Sequence, residues 1–274
     1  MMGLQQMVSA RLVKPLADWG AIVHFAAMTV VLAFTPSTYR REHRGLIVNK
    51  IYSATWQVLP AFTLLSALIS LVLIRIVVVT AKSYGLSQFA LEVVVRVLVL
   101  ELIPLSAALF VVLRTSVAAM VQHSPQPQAA GHALGQGQGQ GQGEGQGHGT
   151  WVVGQELSNA IASAFSVLTL TAVSSVLALF LAYVVVYGMS PWGFDDYTRM
   201  VGRVFDPAVV IIFVLKTLLF SLAVAVVPSA SQWLATRSND ARQDGVPTSL
   251  SVGTVRLFFL LALIEGASLA VKYI

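Results

Sequence analysis

The stretch LELIPLSAALFVVLR, residues 100–114, decides how this chain is read. It is apolar enough to lie in a bilayer, yet it holds a carboxylate at Glu101, a proline at Pro104 and a guanidinium at Arg114. An ionisable group near mid-span costs a few kcal/mol on insertion scales, so each one there needs a physical reason. The whole chain is written in the same apolar language. Of its 274 residues 56% are hydrophobic and only 11% charged, and the mean hydropathy is +0.77. A soluble domain carries about 25% charged residues, so the composition is that of an integral membrane protein.

Outward from that stretch, five runs reach the roughly 20 residues that a span needs. They are residues 54–80, 89–113, 160–187, 207–228 and 250–272, the last less apolar because of Arg256 and Glu265. The segment from Val8 to Thr35 starts amphipathic, with Arg11, Lys14 and Asp18, and turns apolar over a shorter run. A helix lying in the interface is the first reading and a full span the second. The expected architecture is an all-α integral membrane protein with an N-terminal interfacial helix and five transmembrane helices.

The basic cluster YRREHRGLIVNK, residues 39–50, is cytoplasmic by the positive-inside rule. Counting from it puts residues 81–88 outside, 115–155 inside, 188–205 outside, 229–249 inside and the C-terminus outside. Residues 1–45 thus form an N-terminal segment and 46–274 a membrane domain. That domain is interrupted at 124–150 by GQGQGQGQGEGQG and its flanks. Such a stretch has no apolar residue with which to bury a core and reads as a flexible cytoplasmic coil, a tolerated insertion before it is a tether.

The intramembrane charges sort by depth. Glu92 and Arg96 stand four apart, acid first, and can pair on one helix face. Glu101 lies nearer mid-span, so it either lines a wet cavity or pairs with a neighbouring helix to fix packing. Pro104 cannot donate to the carbonyl of Leu100 and frees an acceptor beside Glu101. Lys216 lies nine residues in from Pro207, too deep to snorkel easily. Arg75 is deep enough to meet a lipid head group or a carboxylate. Glu265 is the mirror case of Lys216 in the last span, whereas Arg114 and Arg256 lie near span ends. The cavity candidates are therefore Arg75, Arg96, Glu101, Pro104 and Lys216.

Other chemistries find no support. The chain has no cysteine, so thiol nucleophiles and thiolate metal sites are excluded. His132 and His148, flanking the coil, make a poor metal site, and no metal or cofactor is expected. Neither GxxxxGK[ST], HExxH nor GxSxG occurs, and no basic patch interleaved with aromatics suggests nucleic acid. The net charge of +5 suits a surface facing anionic lipid.

Residues 100–114 resemble the R-E-L-G-P-V-L-T-A-L-L-V-A-G-R stretch of MlaE/YrbE-type permeases, with Glu101, Pro104 and Arg114 in register. VLKTLLFSLAVAV, residues 214–226, is similar to that family's K-[ST]-x-x-F-[GA] helix at Lys216, Thr217 and Phe220. SVGTVRLFFLLALIE, residues 251–265, is similar to the start of its last helix at Val252, Gly253 and Thr254. Gly85 matches a glycine of the outer loop before the second span. The sequence departs where Leu100, Ile103 and Leu113 replace an arginine and two glycines. It departs again where VAAMVQ, residues 117–122, stands for A-E-L-G-T-M. The resemblance implies a permease subunit of an ABC-type transporter in the bacterial inner membrane, without enzymatic activity of its own. It would move phospholipid or a similar amphiphile. The implied partners are an ABC ATPase subunit, a periplasmic MCE-domain protein, a second permease chain, identical or not, and membrane lipids. ATPase coupling would fall to Arg114, Gln155 and Glu156. A non-transporting scaffold subunit and an ion-coupled carrier using Glu101 and Lys216 are the alternatives.

Overall fold

The computed structural model describes residues 55–123, 148–237 and 248–273, with Gly20, Ala27, Val31 and Tyr52 besides. The N-terminal interfacial helix and the bulk of the Gly/Gln-rich coil lie outside the described residues. Those residues contain no β-strand. The elements are α1 (Leu59–Ser83), α2 (Ser87–Val94), a π-helical segment (Val95–Leu102), α3 (Ile103–His123) and α4 (His148–Tyr187). After a 3-10 turn (Pro191–Gly193) come α5 (Phe194–Val204), α6 (Pro207–Arg237) and α7 (Thr248–Tyr273). Among the described residues, five stretches are long and apolar enough to cross a membrane: Leu59–Ser83, Phe89–Val117, Asn159–Tyr187, Pro207–Ala230 and Gly253–Val271. The protein is an all-α, multi-pass membrane protein.

The residue pattern explains how these helices associate. Along α1 the buried positions are Phe62, Ser66, Ser70, Ile74 and Val78, every fourth residue. The outer face carries Leu64, Leu68, Val72, Ile76 and Val79, all at least half exposed. Lipid is as apolar as leucine, so the bundle is not driven together by hydrophobicity. Close approach through small residues does that work instead. Helix α4, packed against α1, supplies the matching stripe of Thr171, Ser174, Ala178 and Ala182, all buried. It also packs on α3 and α6, and α6 in turn packs most extensively on α7.

The helix ends obey local rules. Gly85, at φ +71, closes α1 by letting its own N–H reach Lys82 O at 3.1 Å and that of Leu86 reach Ala81 O at 2.8 Å. Gly188, at φ +65, turns the chain out of α4. Short α5 is amphipathic: Tyr197, Met200, Val201 and Val204 face the bundle while Asp195, Asp196, Arg199 and Arg203 do not. The Tyr197 hydroxyl donates to Leu179 O at 2.9 Å, which pins α5 across the end of α4.

Two boundaries differ from the sequence expectation. The apolar run ending at Pro228 is not a helix end, for α6 continues through Pro228 to Arg237. Proline is tolerated inside membrane helices, where surrounding groups can take up the freed carbonyl, here that of Val224. Helix α4 begins at His148, roughly three turns before its apolar part and inside the stretch expected to be coil to 150. Upstream of Pro104, Val95–Leu102 run in a π-helical register that the sequence did not mark.

Candidate functional site

The buried apolar side chains form two large clusters, one at each end of the bundle. One gathers Phe62, Val111, Val167, Phe220 and Leu257. The other gathers Ile74, Leu91, Val95, Ile103 and Ala182. Between them, near the middle of the spans, three charged side chains from three separate spans meet. Lys216 of α6 is ion-paired with Glu101 of the π-helical segment, and its Nζ lies 2.8 Å from Glu265 Oε2 of α7. The ammonium also donates to Leu100 O at 3.4 Å.

Each arm of this triad has a local cause. Lys216 follows Pro207 by two and a half turns, about 13 Å along the axis, close to the centre of a roughly 30 Å hydrocarbon core. At 2% exposure its side chain is sealed, so the charge must be met inside. Phe220, one turn on, places its ring 5.8 Å from the ammonium. Glu101 owes its position to the π-helical register. The Ile103 N–H bonds to Leu98 O, five residues back. The wider turn rotates every later side chain by about 100° relative to an uninterrupted α-helix. Pro104 then leaves the Leu100 carbonyl without its usual i+4 donor, and the lysine ammonium supplies one in its place. Glu265 lies on the face of α7 turned to α6, one turn beyond Leu261 of the first apolar cluster.

A half-open pocket adjoins the triad. It encloses about 250 Å³, including the part open to its surroundings, and is lined by Leu100, Glu101, Val209, Ile212, Phe213, Lys216 and Ser268. The carboxylates are less sealed than the ammonium, at 14% and 16% exposure. The arrangement holds an acid–base–acid network in low dielectric, beside a space walled by aliphatic and aromatic side chains. Among the described residues no group of three or more histidine, cysteine, aspartate or glutamate side chains could hold a metal.

The remaining sequence candidates are placed elsewhere. Arg96 pairs with Glu92 at 2.9 Å on its own helix face, and Arg75 is exposed on α1; neither lines the pocket. Arg114 lies in α3 toward the end where α4 begins, and Gln155 and Glu156 fall in the first turns of α4. At that same end the Ser116 and Thr254 hydroxyls stand 3.5 Å apart and link α3 to α7. The polar residues absent from the sequence-derived cavity set are Glu265 and Ser268. Glu265 carried a signal, an acid deep in an apolar run, but nothing in the sequence assigned it to Lys216. Ser268 carried none, since serine is common in membrane helices.

The sequence matches the family model described as Permease MlaE over residues 47–122 and 157–269, more than half of the chain. All three residues of the triad fall within the matched segments, and the Gly/Gln-rich stretch falls in the gap between them. No match was found among curated proteins or among solved structures. Five apolar spans around a buried charge network, and a family match over both halves, agree on one assignment: the chain belongs to the MlaE/YrbE permease family, membrane components of ABC-type lipid transporters.

Proposed function

We propose that this chain is the permease subunit through which a phospholipid or similar amphiphile passes between the inner membrane and a periplasmic MCE-domain protein. The observation that carries the reading is the Glu101–Lys216–Glu265 network beside a pocket between spans. A network needed only to hold helices together would be expected to be fully enclosed, because exposure weakens each pair through solvent screening. Here Glu101 lines an open space whose other walls, apart from Lys216 and Ser268, are apolar, the combination an amphiphile requires. The closed part of the pocket is only about 10 Å³, room for about one water, so a lipid would touch this site with the edge of its head group, the rest lying in the bilayer or between this chain and a second permease copy.

In this reading the end carrying Arg114, Gln155 and Glu156 faces the cytoplasm and docks the ATPase, while α5 and its aromatic surroundings face the periplasm. The excess of basic residues at 40–50 supports that orientation. The N-terminus is then cytoplasmic and the C-terminus periplasmic.

The test is reconstitution of the chain with its ATPase and MCE partners in proteoliposomes, with fluorescent phospholipid followed in the presence of ATP. Glu101→Gln is expected to lower ATP-dependent movement by about tenfold or more while the complex still assembles, the loss of one charge-assisted contact. Unchanged movement in that variant points to a scaffold. Movement that persists without the ATPase points to an ion-coupled carrier.

A further inference from the structure

We infer that the outer flank of α1 holds the phosphate of a membrane phospholipid between Arg75 and Lys82. The inference needs only that α1 spans the membrane, so it stands or falls separately from the permease reading.

Arg75 is exposed on α1 and has no hydrogen-bond or ion-pair partner among the described residues. The residues that share a helix face with it are Leu71, Val72, Val78 and Val79, so its own helix offers no acid. Arg96, nine residues beyond the start of α2 at Ser87, meets its need differently, through Glu92 at 2.9 Å. Tyr84, the C-cap of α1 and 76% exposed, marks the membrane–water interface at this end. Arg75 stands nine residues before it, roughly 13 Å along the axis. A helical Cα–Cβ bond tilts toward the helix N-terminus, here away from that interface, so snorkelling to water works against the geometry. Local thinning of the bilayer, which brings the phosphate layer down to the guanidinium, is the accommodation left to it.

The residues around Arg75 indicate which anion arrives. Lys82 is exposed two turns on, along the same stripe and roughly 10 Å nearer the interface. Leu68, Val72 and Val79 on that stripe are each more than half exposed. Another helix would need small residues there in order to approach closely, and the small residues Ser66 and Ser70 of α1 are buried in the bundle instead. Bulky aliphatic side chains below two cations suit one lipid lying along the helix, its acyl chains on Leu68 and Val72 and its phosphate between Arg75 and Lys82. The guanidinium fork matches phosphate oxygens in pairs. The Lys82 ammonium above it repels a choline or ethanolamine group, so an anionic head group is preferred.

The experiment uses the full chain in nanodiscs of phosphatidylcholine with a minority of photoactivatable phosphatidylglycerol, and adducts are mapped by peptide mass spectrometry. Adducts are expected on α1 between Leu68 and Ser83. Unlabelled phosphatidylglycerol should compete for them about fivefold better than phosphatidylcholine, the effect of one cation near a membrane surface. Arg75→Gln should lower the α1 adducts by about fivefold, Arg75→Lys should keep part of them, and Lys82→Gln should give a smaller loss. Arg199→Gln, on the exposed face of α5, should change nothing. The thermal midpoint of Arg75→Gln should equal or exceed that of the parent, because no contact within the chain is lost. Parental adduct levels in Arg75→Gln, absence of adducts on α1, or equal competition by the two lipids would overturn the inference. Competition by free inorganic phosphate would assign the cations to a soluble anion and overturn it too. If Arg75→Gln instead releases a second protein chain and leaves the adducts unchanged, Arg75 belongs to a protein contact and the lipid site is refuted.

Discussion

Removing the ammonium of Lys216 should damage the fold more than removing either acid, and neutralising all three groups should repair it. In Lys216→Met two carboxylates remain that had each been within ion-pair reach of one nitrogen. With the nitrogen gone the two acids face each other directly, and two like charges roughly 5 Å apart at an effective dielectric near 20 repel by about 3 kcal/mol. Breaking a buried ion pair by deleting one partner costs about 3–5 kcal/mol in other proteins, which agrees with that figure. For a chain of this size the thermal midpoint should fall by on the order of ten degrees. Glu265→Gln keeps the Lys216–Glu101 pair and should lose about half as much. The triple variant Glu101→Gln, Lys216→Met, Glu265→Gln has no charge left to desolvate and should recover most of the midpoint, because replacing a buried ion network with neutral groups of similar volume is often neutral or stabilising. Lipid movement should not recover with it. The assay is thermal unfolding of the purified chain in one detergent, paired with transport in proteoliposomes. A Lys216→Met variant as stable as the parent, or a triple variant no better than Lys216→Met alone, would refute the electrostatic account of the triad.

The other perturbations follow the same physics on a smaller scale. Glu92→Gln removes a pair whose partners are 30% and 42% exposed, so stability should change by no more than about 0.5 kcal/mol, within a degree or two in the same unfolding assay. Pro104→Ala supplies an N–H that competes with Lys216 for the Leu100 carbonyl; the midpoint should rise by the equivalent of about 1 kcal/mol or more while transport falls. Tyr197→Phe deletes the hydrogen bond to Leu179 O and should cost about 1 kcal/mol, read as easier proteolysis of the loop around α5. Burial, and then the neighbouring Tyr187, raises the Tyr197 phenol above its ordinary value. A raised folded value means that the stability it contributes is fully present below the unfolded phenol's pKa of about 10 and is lost as pH rises through the folded value. Spectroscopic titration should therefore show a late tyrosinate step that disappears in Tyr197→Phe.

What could be read from the sequence, and what could not, separates cleanly by range. The spans were legible because the bilayer imposes a length and a composition on each segment by itself. The Glu92–Arg96 pair was legible for the same reason, as four residues on one helix fix the geometry. Depth alone marked Glu101 and Lys216 as groups in need of partners, and Pro104 marked Leu100 O as a free acceptor. The assignment of Glu265 to the same ammonium was not legible, because it depends on how α7 lies against α6 and joins residues far apart along the chain. The π-helical register was not legible either: Val95–Leu102 is ordinary in composition, and nothing local distinguishes an i→i−5 ladder from an i→i−4 one. Helix α6 runs on past Pro228, where a rule about single helices would end it, because the membrane setting tolerates an interior proline.

The departures from the family pattern become intelligible at the triad. Where the related stretch has an arginine just before its glutamate, this chain has Leu100, 4% exposed within an apolar cluster. A guanidinium there would need its own acceptors in a place that offers aliphatic side chains. With leucine in that position, the cation for Glu101 comes across the bundle from Lys216, and the same lysine also meets Glu265. One ammonium thus ties three spans, those of the π-helical segment, α6 and α7, at a single point near mid-membrane. Any movement of α7 relative to α6 must stretch the Glu265 contact, and any relaxation of the π-helical register must turn Glu101. On the proposed permease reading, the network would couple a change in helix packing to the charge held at this point between the spans. The substitution Leu100→Arg offers the direct check, because it puts a second cation next to Glu101. If the triad carries the coupling, Leu100→Arg should loosen the Glu101–Lys216 pair and lower ATP-dependent lipid movement; full activity in that variant would show that the single-lysine network is dispensable.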